Sequence, residues 1–301
     1  MVKQHWCNIF KSALKRSPVK GLVMVAFCMM LLFNQMVFCQ LITELPYNKT
    51  CFLTTHNSFN CSRNGFLLPN QKYGIQQQLN DGVRALMLDV YEVKGRLYVY
   101  HSIQMLGKEP FAEVLKEVEI FLEVNRNAVI TLLLENYAPA YLIQSDLHKT
   151  GLSKFQYYAD SIREWPTIQE LIDDNTRLLV FNDVNDTMNR QARIFTMWDF
   201  FTETHFSVNR MCDFKCSTNR GKSDNPLFVL NHFINGGLGI GSRTQSKKAN
   251  GMNVILHRCF DCKRLSDKYP NFIVVDFYHL GNPLQAVDSI NLLKVQELKS
   301  R

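Results

Sequence analysis

The sequence predicts an α/β fold, a TIM-type (β/α)8 barrel that is distorted or incompletely closed. Strand-like and helix-like segments alternate over roughly 250 residues, the length of such a barrel. The segment 128–135 is a continuous apolar run that ends in Glu135, which is typical of a strand buried on both faces of a parallel sheet. Several other apolar runs also end in a titratable residue, as expected where parallel strands share one functional rim.

The elements follow from local patterns. Apolar residues recur at helical spacing after Pro110, which suits the first turn of a helix. No linker or repeat interrupts the chain, so residues 40–301 are predicted to form one domain. An eighth strand is expected within 195–210. The other predicted strands are 51–56, 83–90, 97–101, 128–135, 177–182, 227–231 and 272–277, and the predicted helices are 70–80, 110–124, 139–148, 166–175, 243–258 and 283–298.

Residues 1–39 form a basic segment followed by a long apolar run, 21–39. This pattern is typical of a cleaved secretory signal peptide or of a signal anchor that would make a type II membrane protein. In both cases residues 40–301 would lie in the secretory lumen or outside the cell. Three N-glycosylation triplets agree with this localisation, and they begin at Asn48, Asn60 and Asn185.

The charge distribution argues against a nucleic-acid-binding protein. The formal net charge is +7, but five of these charges lie within residues 1–39, which contain no acid. The remainder therefore carries only +2, and nucleic-acid-binding domains usually present a basic face. No obligate protein partner is implied either.

Six of the nine cysteines lie outside the N-terminal segment. An even number in an oxidising compartment predicts disulfides, with 15 pairings open. Cys51–Cys61 is the favoured pair, because it would brace the loop after His56. A four-sulfur zinc site is the alternative for the second group of cysteines. That group comprises Cys212, Cys216, Cys259 and Cys262.

Strand alternation places the polar residue of each run above apolar residues of the same face. Buried polar side chains at this density are costly unless they are paired, so a functional rim is favoured over isolated structural roles. The alternative for each histidine is a simple hydrogen-bonded strand end. Arg84 lies on the opposite face from Asp89, which indicates outward packing. The predicted rim consists of His56, Asp89, His101, Glu135, Asp183 and Asp276.

The motifs around these residues resemble the phosphatidylinositol-specific phospholipase C X-domain family, and the similarity extends over about residues 45–280. The match is closest to its single-domain, secreted or anchored phospholipase C-like phosphodiesterases. The matching motifs are Thr55-His56-Asn57-Ser58, Gln78-Leu-Asn-Asp-Gly82-Val-Arg84, Leu88-Asp89, Tyr100-His101 and Leu134-Glu135-Asn136, followed by Trp165-Pro-Thr, Arg177-Leu-Leu-Val-Phe, Leu230-Asn-His-Phe and Asn271-Phe-Ile-Val-Val-Asp-Phe-Tyr278.

The resemblance implies a distorted TIM barrel that cleaves a phosphodiester by attack of a neighbouring hydroxyl. His56 would act as the general base and His101 as the general acid toward the leaving group. Asp276 would orient His56 in the way that a carboxylate orients a catalytic histidine. A cation must also offset the charge that develops on the phosphate.

For that cation, the resemblance implies Ca²⁺ held by Asn57, Asp89 and Glu135, which offer hard oxygen ligands. The sequence departs from the family at Met87, where an acidic ligand is expected, and it has no obvious replacement arginine. Two interpretations stay open. Either a weaker calcium site is completed by water or by Asp183, or the chemistry is altered or lost.

The predicted function is therefore a phosphoric diester hydrolase. Its substrate would be a phosphoinositide or a glycosylated inositol lipid at a membrane surface. The alternative is a catalytically inactive barrel that binds phosphorylated head groups or a protein partner. A glycerophosphodiester enzyme is less favoured, because such barrels carry a pair of glutamates that Met87 and Asp89 do not supply.

Overall fold

The computed structural model describes residues 41–236 and 240–300. The predicted signal peptide or anchor, 1–39, lies outside the described residues and stays a prediction. The chain divides into two compact units, Met1–Glu44 and Leu45–Arg301, and the barrel belongs to the second. Within the described ranges, the helices are all too short or too polar to cross a bilayer.

Eleven strands are present in the described residues, and eight of them form the parallel wall of a curled barrel. The strands are β1 (Phe52–Thr55), β2 (Ala85–Val93), β3 (Arg96–Val99), β4 (Glu109–Pro110), β5 (Ile130–Tyr137), β6 (Leu178–Asn182), β7 (Phe195–Thr196), β8 (Phe201–Thr204), β9 (Thr218–Gly221), β10 (Leu227–Asn231) and β11 (Phe272–Val275).

The wall runs in the order β7-β6-β5-β2-β1-β11-β10-β8, and β9 pairs antiparallel with the outer edge of β8. The two end strands, β7 and β8, form no ladder with each other in the described structure. The barrel is therefore incompletely closed, as the sequence predicts. The segment 195–210 supplies two short barrel strands where one was expected.

Helices connect the strands of this wall. They are α1 (Ile75–Asn80), α2 (Phe111–Val124), α3 (Ala140–Lys149), α4 (Ile168–Asp173), α5 (Arg243–Ala249), α6 (Met252–Ser266) and α7 (Pro283–Lys299). The prediction of one helix over 243–258 is wrong, because the chain breaks at Asn250–Gly251 into α5 and α6. At this break the Asn250 side chain donates to the Asp276 carbonyl oxygen at 2.8 Å, which ties the helices to the end of β11.

Residues of alternate parity separate into two buried layers. Inside the barrel, Leu133, Phe181 and Val274 belong to one apolar cluster. On the outside, neighbours of opposite parity such as Leu134 and Val275 pack with the helices in a second cluster. Arg84 faces outward as predicted, with its guanidinium carbon 5.2 Å from the centre of the Phe121 ring on α2.

The third predicted strand has a different role from the one expected. β3 runs antiparallel to β2, with Val99 opposite Val90, so it is not a parallel barrel strand. β2 extends beyond the rim, and the chain turns at Lys94 and Gly95, both with positive φ, the backbone twist that favours tight hairpins. The returning strand brings His101 back down to the rim.

The cysteine pairing also differs from the prediction. Cys216 is bonded to Cys262, while Cys51 and Cys61 are both free and buried, so the favoured Cys51–Cys61 pair is wrong. Cys51 instead lies under α7, where its backbone N–H donates to Asn291 Oδ1 at 2.7 Å. No four-sulfur zinc site forms in the described part of the chain.

The glycosylation triplets differ in accessibility. Asn185 is exposed and Asn48 is partly exposed, whereas Asn60 is only 2% exposed. The Asn60 amide donates to Asn70 Oδ1 at 2.7 Å. Attachment of a glycan to the folded protein is therefore favoured at Asn48 and Asn185 but not at Asn60.

Candidate active site

His56 and Asp276 form a hydrogen-bonded pair at the C-terminal rim. β1 and β11 are parallel neighbours with Thr55 opposite Val275, so the next residues along both chains lie side by side. His56 Nδ1 is 2.9 Å from Asp276 Oδ1. The carboxylate is fully buried, while the imidazole side chain is 16% exposed and stacks on Phe233 with ring centres 3.8 Å apart.

Two side chains that the sequence did not single out hold this pair. Asn70 donates to Asp276 Oδ1 at 3.1 Å and accepts at its own Oδ1 from the Asn57 amide at 3.1 Å. Gln71 donates to the carbonyl oxygen of His56 at 2.9 Å. The pair is therefore held from both sides, and the outer edge of the His56 ring is the part left to act on a ligand.

His101 lies in the loop after β3, and the charges of His56 and Asp276 act on it. Burial lowers its pKa, and a protonated His56 lowers it further, whereas Glu135 and Asp276 raise it. The two imidazoles therefore lie close enough for the charge of one to affect the other. A proton on one ring disfavours a proton on the other, which suits a pair in which one ring is a base and the other an acid.

Three carboxylates line the neighbouring part of the rim. Asp89 and Glu135 are register partners on β2 and β5, and Asp183 follows β6. Burial raises the pKa of Asp89 well above its ordinary value, and the charges of Glu135 and Asp183 add to this effect. Burial also raises the pKa of Asp183 to about 6. This part of the cleft therefore favours a proton or a cation.

The predicted calcium ligands make hydrogen bonds within the protein. Asn57 donates its amide to Asn70, and Glu135 accepts a hydrogen bond from the Tyr137 hydroxyl. Met87 lies against the inner apolar cluster, where it offers no oxygen. No three His, Cys, Asp or Glu side chains of the described chain are arranged to hold a metal ion. The calcium site stays a prediction, and no chemical step below passes through a metal.

Arg220 is a cation of the cleft that sequence reasoning missed. It lies on β9, and its Nε donates to the buried Glu203 carboxylate at 2.5 Å. Its guanidinium carbon lies 4.6 Å from the Trp198 ring centre. Burial opposes its charge, yet Glu203, Asp183 and Glu135 raise its pKa overall. No spacing signal marks it, because it comes from an antiparallel strand added outside the barrel wall.

The family model for the PI-PLC X domain (PI-PLC X 1) matches residues 42–291. The chain belongs to the PI-PLC X domain family. The resemblance drawn from the motifs is thereby confirmed, and the match includes every predicted rim residue. It reaches from before β1 into α7, so the PI-PLC X domain includes the whole barrel wall described above.

Curated relatives of this PI-PLC X domain come from a plant and a fungus. A PI-PLC X domain-containing protein of Arabidopsis thaliana is 27% identical over 277 residues, which cover 83% of this chain and 64% of that protein. An uncharacterized secreted protein of Arthroderma benhamiae is 26% identical over 78% of this chain and 58% of its own length. The chain thus spans about three fifths of the length of these two relatives.

Solved structures agree with the fold of the PI-PLC X domain. Phosphatidylinositol-specific phospholipase C from Listeria monocytogenes superposes with a TM-score of 0.55 at 16% identity, covering 84% of this chain and 97% of that one. A Staphylococcus aureus phosphatidylinositol-specific phospholipase C variant gives 0.58 at 12% identity over 84% and 95%. At these identities the likeness concerns the barrel alone.

Proposed function

We propose that this PI-PLC X domain is a phospholipase C-like phosphodiesterase that cleaves an inositol phospholipid or a glycosylated inositol lipid. The observation that carries the proposal is the His56–Asp276 hydrogen bond at the C-terminal rim, with His101 close enough for its charge to interact with that of His56. Family membership supports the class of reaction. The two histidines supply a base and an acid for phosphodiester cleavage.

In the proposed reaction, His56 Nε2 accepts the proton of the inositol hydroxyl next to the phosphodiester. The hydroxyl oxygen attacks phosphorus, and the bond from phosphorus to the diacylglycerol oxygen breaks. His101 donates its proton to that leaving oxygen, which gives a cyclic inositol phosphate and diacylglycerol. Asp276 stabilises the His56 imidazolium formed in the first step.

The rim is suited to a lipid surface. Loops that follow the C-terminal ends of the barrel strands carry apolar side chains that face solvent, and Met105 is 89% exposed. Clustered exposed apolar residues mark membrane or partner contacts more often than isolated ones. This supports a membrane-bound substrate. The exposed rim residues are Leu67, Leu68, Ile103, Met105, Tyr137, Tyr141, Val184 and Phe206.

Secretion or a type II anchor is part of the proposal. It is supported by the N-terminal sequence pattern, the Cys216–Cys262 disulfide and the similarity to a secreted fungal protein. Disulfides persist in oxidising compartments. Protease protection of the chain in intact microsomes, together with a glycan on Asn185, would test it.

An inactive head-group-binding barrel is the second candidate, and Met87 is the observation that favours it, because an oxygen ligand is expected there. Full-length protein is incubated with phosphatidylinositol vesicles, with and without a calcium chelator, and products are followed by mass spectrometry. Cyclic inositol phosphate from wild type but not from His56→Ala or His101→Ala supports the enzyme. Vesicle binding without product from any folded form supports the inactive barrel instead.

Calcium dependence is decided by the same experiment. If Ca²⁺ assists the reaction through Asn57, Asp89 and Glu135, then the chelator lowers turnover and added Ca²⁺ restores it. Turnover that is unchanged in chelator would contradict the calcium proposal. It would not contradict the proposed roles of His56 and His101.

A further inference from the structure

A pocket lies at the end of the barrel opposite to His56 and Asp276. Its volume is about 350 Å³, which is within the range of small-molecule sites. Among its lining residues, Asn48, Pro226 and Asn271 come shortly before β1, β10 and β11. His56 and Asp276 follow the other ends of β1 and β11. A ligand in this pocket would therefore leave the rim free for a substrate.

Lys294, on α7, lines this pocket although it is almost fully buried. The residue is 8% exposed, and its Nζ donates to the Pro270 carbonyl oxygen at 3.0 Å. This is the one hydrogen bond that its ammonium group makes to a described residue, although an ammonium has three N–H donors. Burial lowers the pKa of Lys294 to about 8. Oxygen acceptors from a ligand in the pocket would therefore stabilise its charged form.

The charges of the lining favour a neutral ligand with many hydroxyl groups over an anion. The lining contains four lysines and three acids, so its charges nearly cancel. Lys263 is paired with Asp267 at 3.0 Å, and Lys268 Nζ donates to two backbone carbonyl oxygens at 2.7 and 2.8 Å. The carboxylates would repel an anion, whereas hydroxyl groups donate to carboxylates and accept from ammonium groups. Tyr269 adds an aromatic ring to the lining, and the negative face of such a ring attracts the C–H groups of a sugar.

The chain has an attachment point for a sugar at the pocket itself. Asn48 begins the triplet Asn48-Lys49-Thr50 and also lines the pocket. It is partly exposed, and its backbone carbonyl oxygen accepts from Asn271 Nδ2 at 2.8 Å. Such a triplet is an acceptor for N-linked glycosylation in a secreted protein. A sugar bonded to Asn48 starts at the pocket wall, so its effective concentration there is high.

We propose that this pocket binds the first sugar residues of an N-linked glycan on Asn48. The inference rests on the proposed localisation in the secretory pathway. Lys294 donates to oxygen atoms of the sugar, the carboxylates accept from its hydroxyl groups, and Tyr269 packs against its ring. The glycan thus connects α7 with the segments before β1, β10 and β11 and stabilises this end of the barrel. A glycan on Asn185 would not do so, because Asn185 follows β6 and does not line the pocket.

The test uses the full-length chain expressed in eukaryotic cells, with glycopeptides identified by mass spectrometry and thermal unfolding followed by circular dichroism. Asn48→Gln should lower Tm by about 2 °C or more, and the matched control Asn185→Gln should change it by less than about 1 °C. In protein that carries Tyr269→Ala, Asn48→Gln should cause little further loss, because both changes remove the same contact. In protein from cells treated with an inhibitor of N-glycosylation, Asn48→Gln should leave Tm unchanged, because no sugar is present to be lost.

The outcomes separate the inference from the proposed function. Purified protein with an unmodified Asn48 overturns the inference, and so do equal Tm values for wild type and Asn48→Gln. An equal loss of Tm with Tyr269 present and replaced shows that the glycan acts outside the pocket, which also overturns it. A chain without a glycan on either Asn48 or Asn185 contradicts the proposed localisation as well. Turnover of phosphatidylinositol is measured separately, and its absence from the wild type defeats the proposed phosphodiesterase whatever the Tm values show.

Discussion

His56 and Asp276 are 220 residues apart in the chain, and their side chains meet at 2.9 Å across the junction of the first and last barrel strands. Asp276 Oδ2 has no partner in the described structure, and Oδ1 accepts from both His56 and Asn70. A fully buried carboxylate in this position is stabilised when His56 becomes positively charged. The pair therefore fixes the orientation of the His56 ring.

Asp276→Asn keeps the size of the side chain and removes its charge. If Asp276 stabilises the His56 imidazolium, kcat on phosphatidylinositol should fall by about 10²–10⁴-fold, because the catalytic base would lose its carboxylate partner. The control is Asp81→Asn, which removes a carboxylate that is bound to Tyr278 and lies outside the His56–Asp276 pair. Equal activity of the Asp276 variant and wild type, with both folded by circular dichroism, would rule out this role.

A second prediction concerns the leaving group. His101→Ala should lose most activity toward phosphatidylinositol, whose diacylglycerol oxygen needs a proton as it departs. The loss should be small for an aryl phosphodiester of inositol, because a nitrophenolate leaves without one. His56→Ala should be inactive on both substrates. If both variants lose the two activities equally, His101 is not the acid.

The pH dependence of turnover tests independently whether His101 is the general acid. A general acid works only while protonated, so turnover should fall as pH rises through the pKa of His101. Burial and His56 lower that pKa, which places the alkaline limb below the ordinary imidazole range. The limb should be absent for the aryl substrate. A profile that stays flat for phosphatidylinositol through neutral pH would contradict the assignment.

Much of the site follows from sequence periodicity, and the rest depends on chain paths that periodicity does not report. Alternation within strands correctly placed Leu133 with Glu135 and Val274 with Asp276 on one face. It could not reveal that β3 returns antiparallel, because a hairpin and a crossover have the same local pattern. Asn70 and Arg220 were missed for a related reason, since a polar loop or edge-strand residue is ordinarily solvated.

Arg220 offers a further test, because it is a cation beside the acidic part of the rim. Its terminal nitrogens make no hydrogen bond to a described residue, while Nε is held by Glu203. If Arg220 offsets charge on the phosphate, Arg220→Met should lower kcat about 10²-fold or more. Arg220→Lys should recover only part of the lost kcat, because an ammonium lacks the planar arrangement of N–H donors of a guanidinium. Arg210→Met, which removes an exposed arginine paired with Asp213, is the control. Full activity of Arg220→Met would exclude the role.

The acidic part of the rim predicts a stability effect with a defined sign. Burial raises the pKa of Asp183 in the folded protein to about 6, above the ordinary aspartate value of about 3.9. The folded state therefore holds this proton more tightly, and its contribution to stability is lost as pH rises from about 4 to about 6. In chelator, Asp183→Asn should stabilise the protein at pH 7.5 by on the order of 1–2 kcal/mol and have little effect at pH 4. Urea unfolding at both pH values measures this, with exposed Asp173→Asn as the control. An equal effect at both pH values would contradict it.

The exposed apolar rim predicts a separation between lipid binding and chemistry. Ile103 and Met105 are 56% and 89% exposed in the loop that follows His101. Replacing both by serine removes apolar area that would leave water at a bilayer, so vesicle binding and vesicle-based turnover should fall about tenfold or more. Turnover of a soluble, monomeric inositol phosphodiester should be unchanged, because both side chains are exposed to solvent and have no part in the proposed reaction. Leu265→Ser is the matched control, since Leu265 is 73% exposed on α6. If the double variant and the control bind vesicles equally well, the lipid surface meets the protein elsewhere.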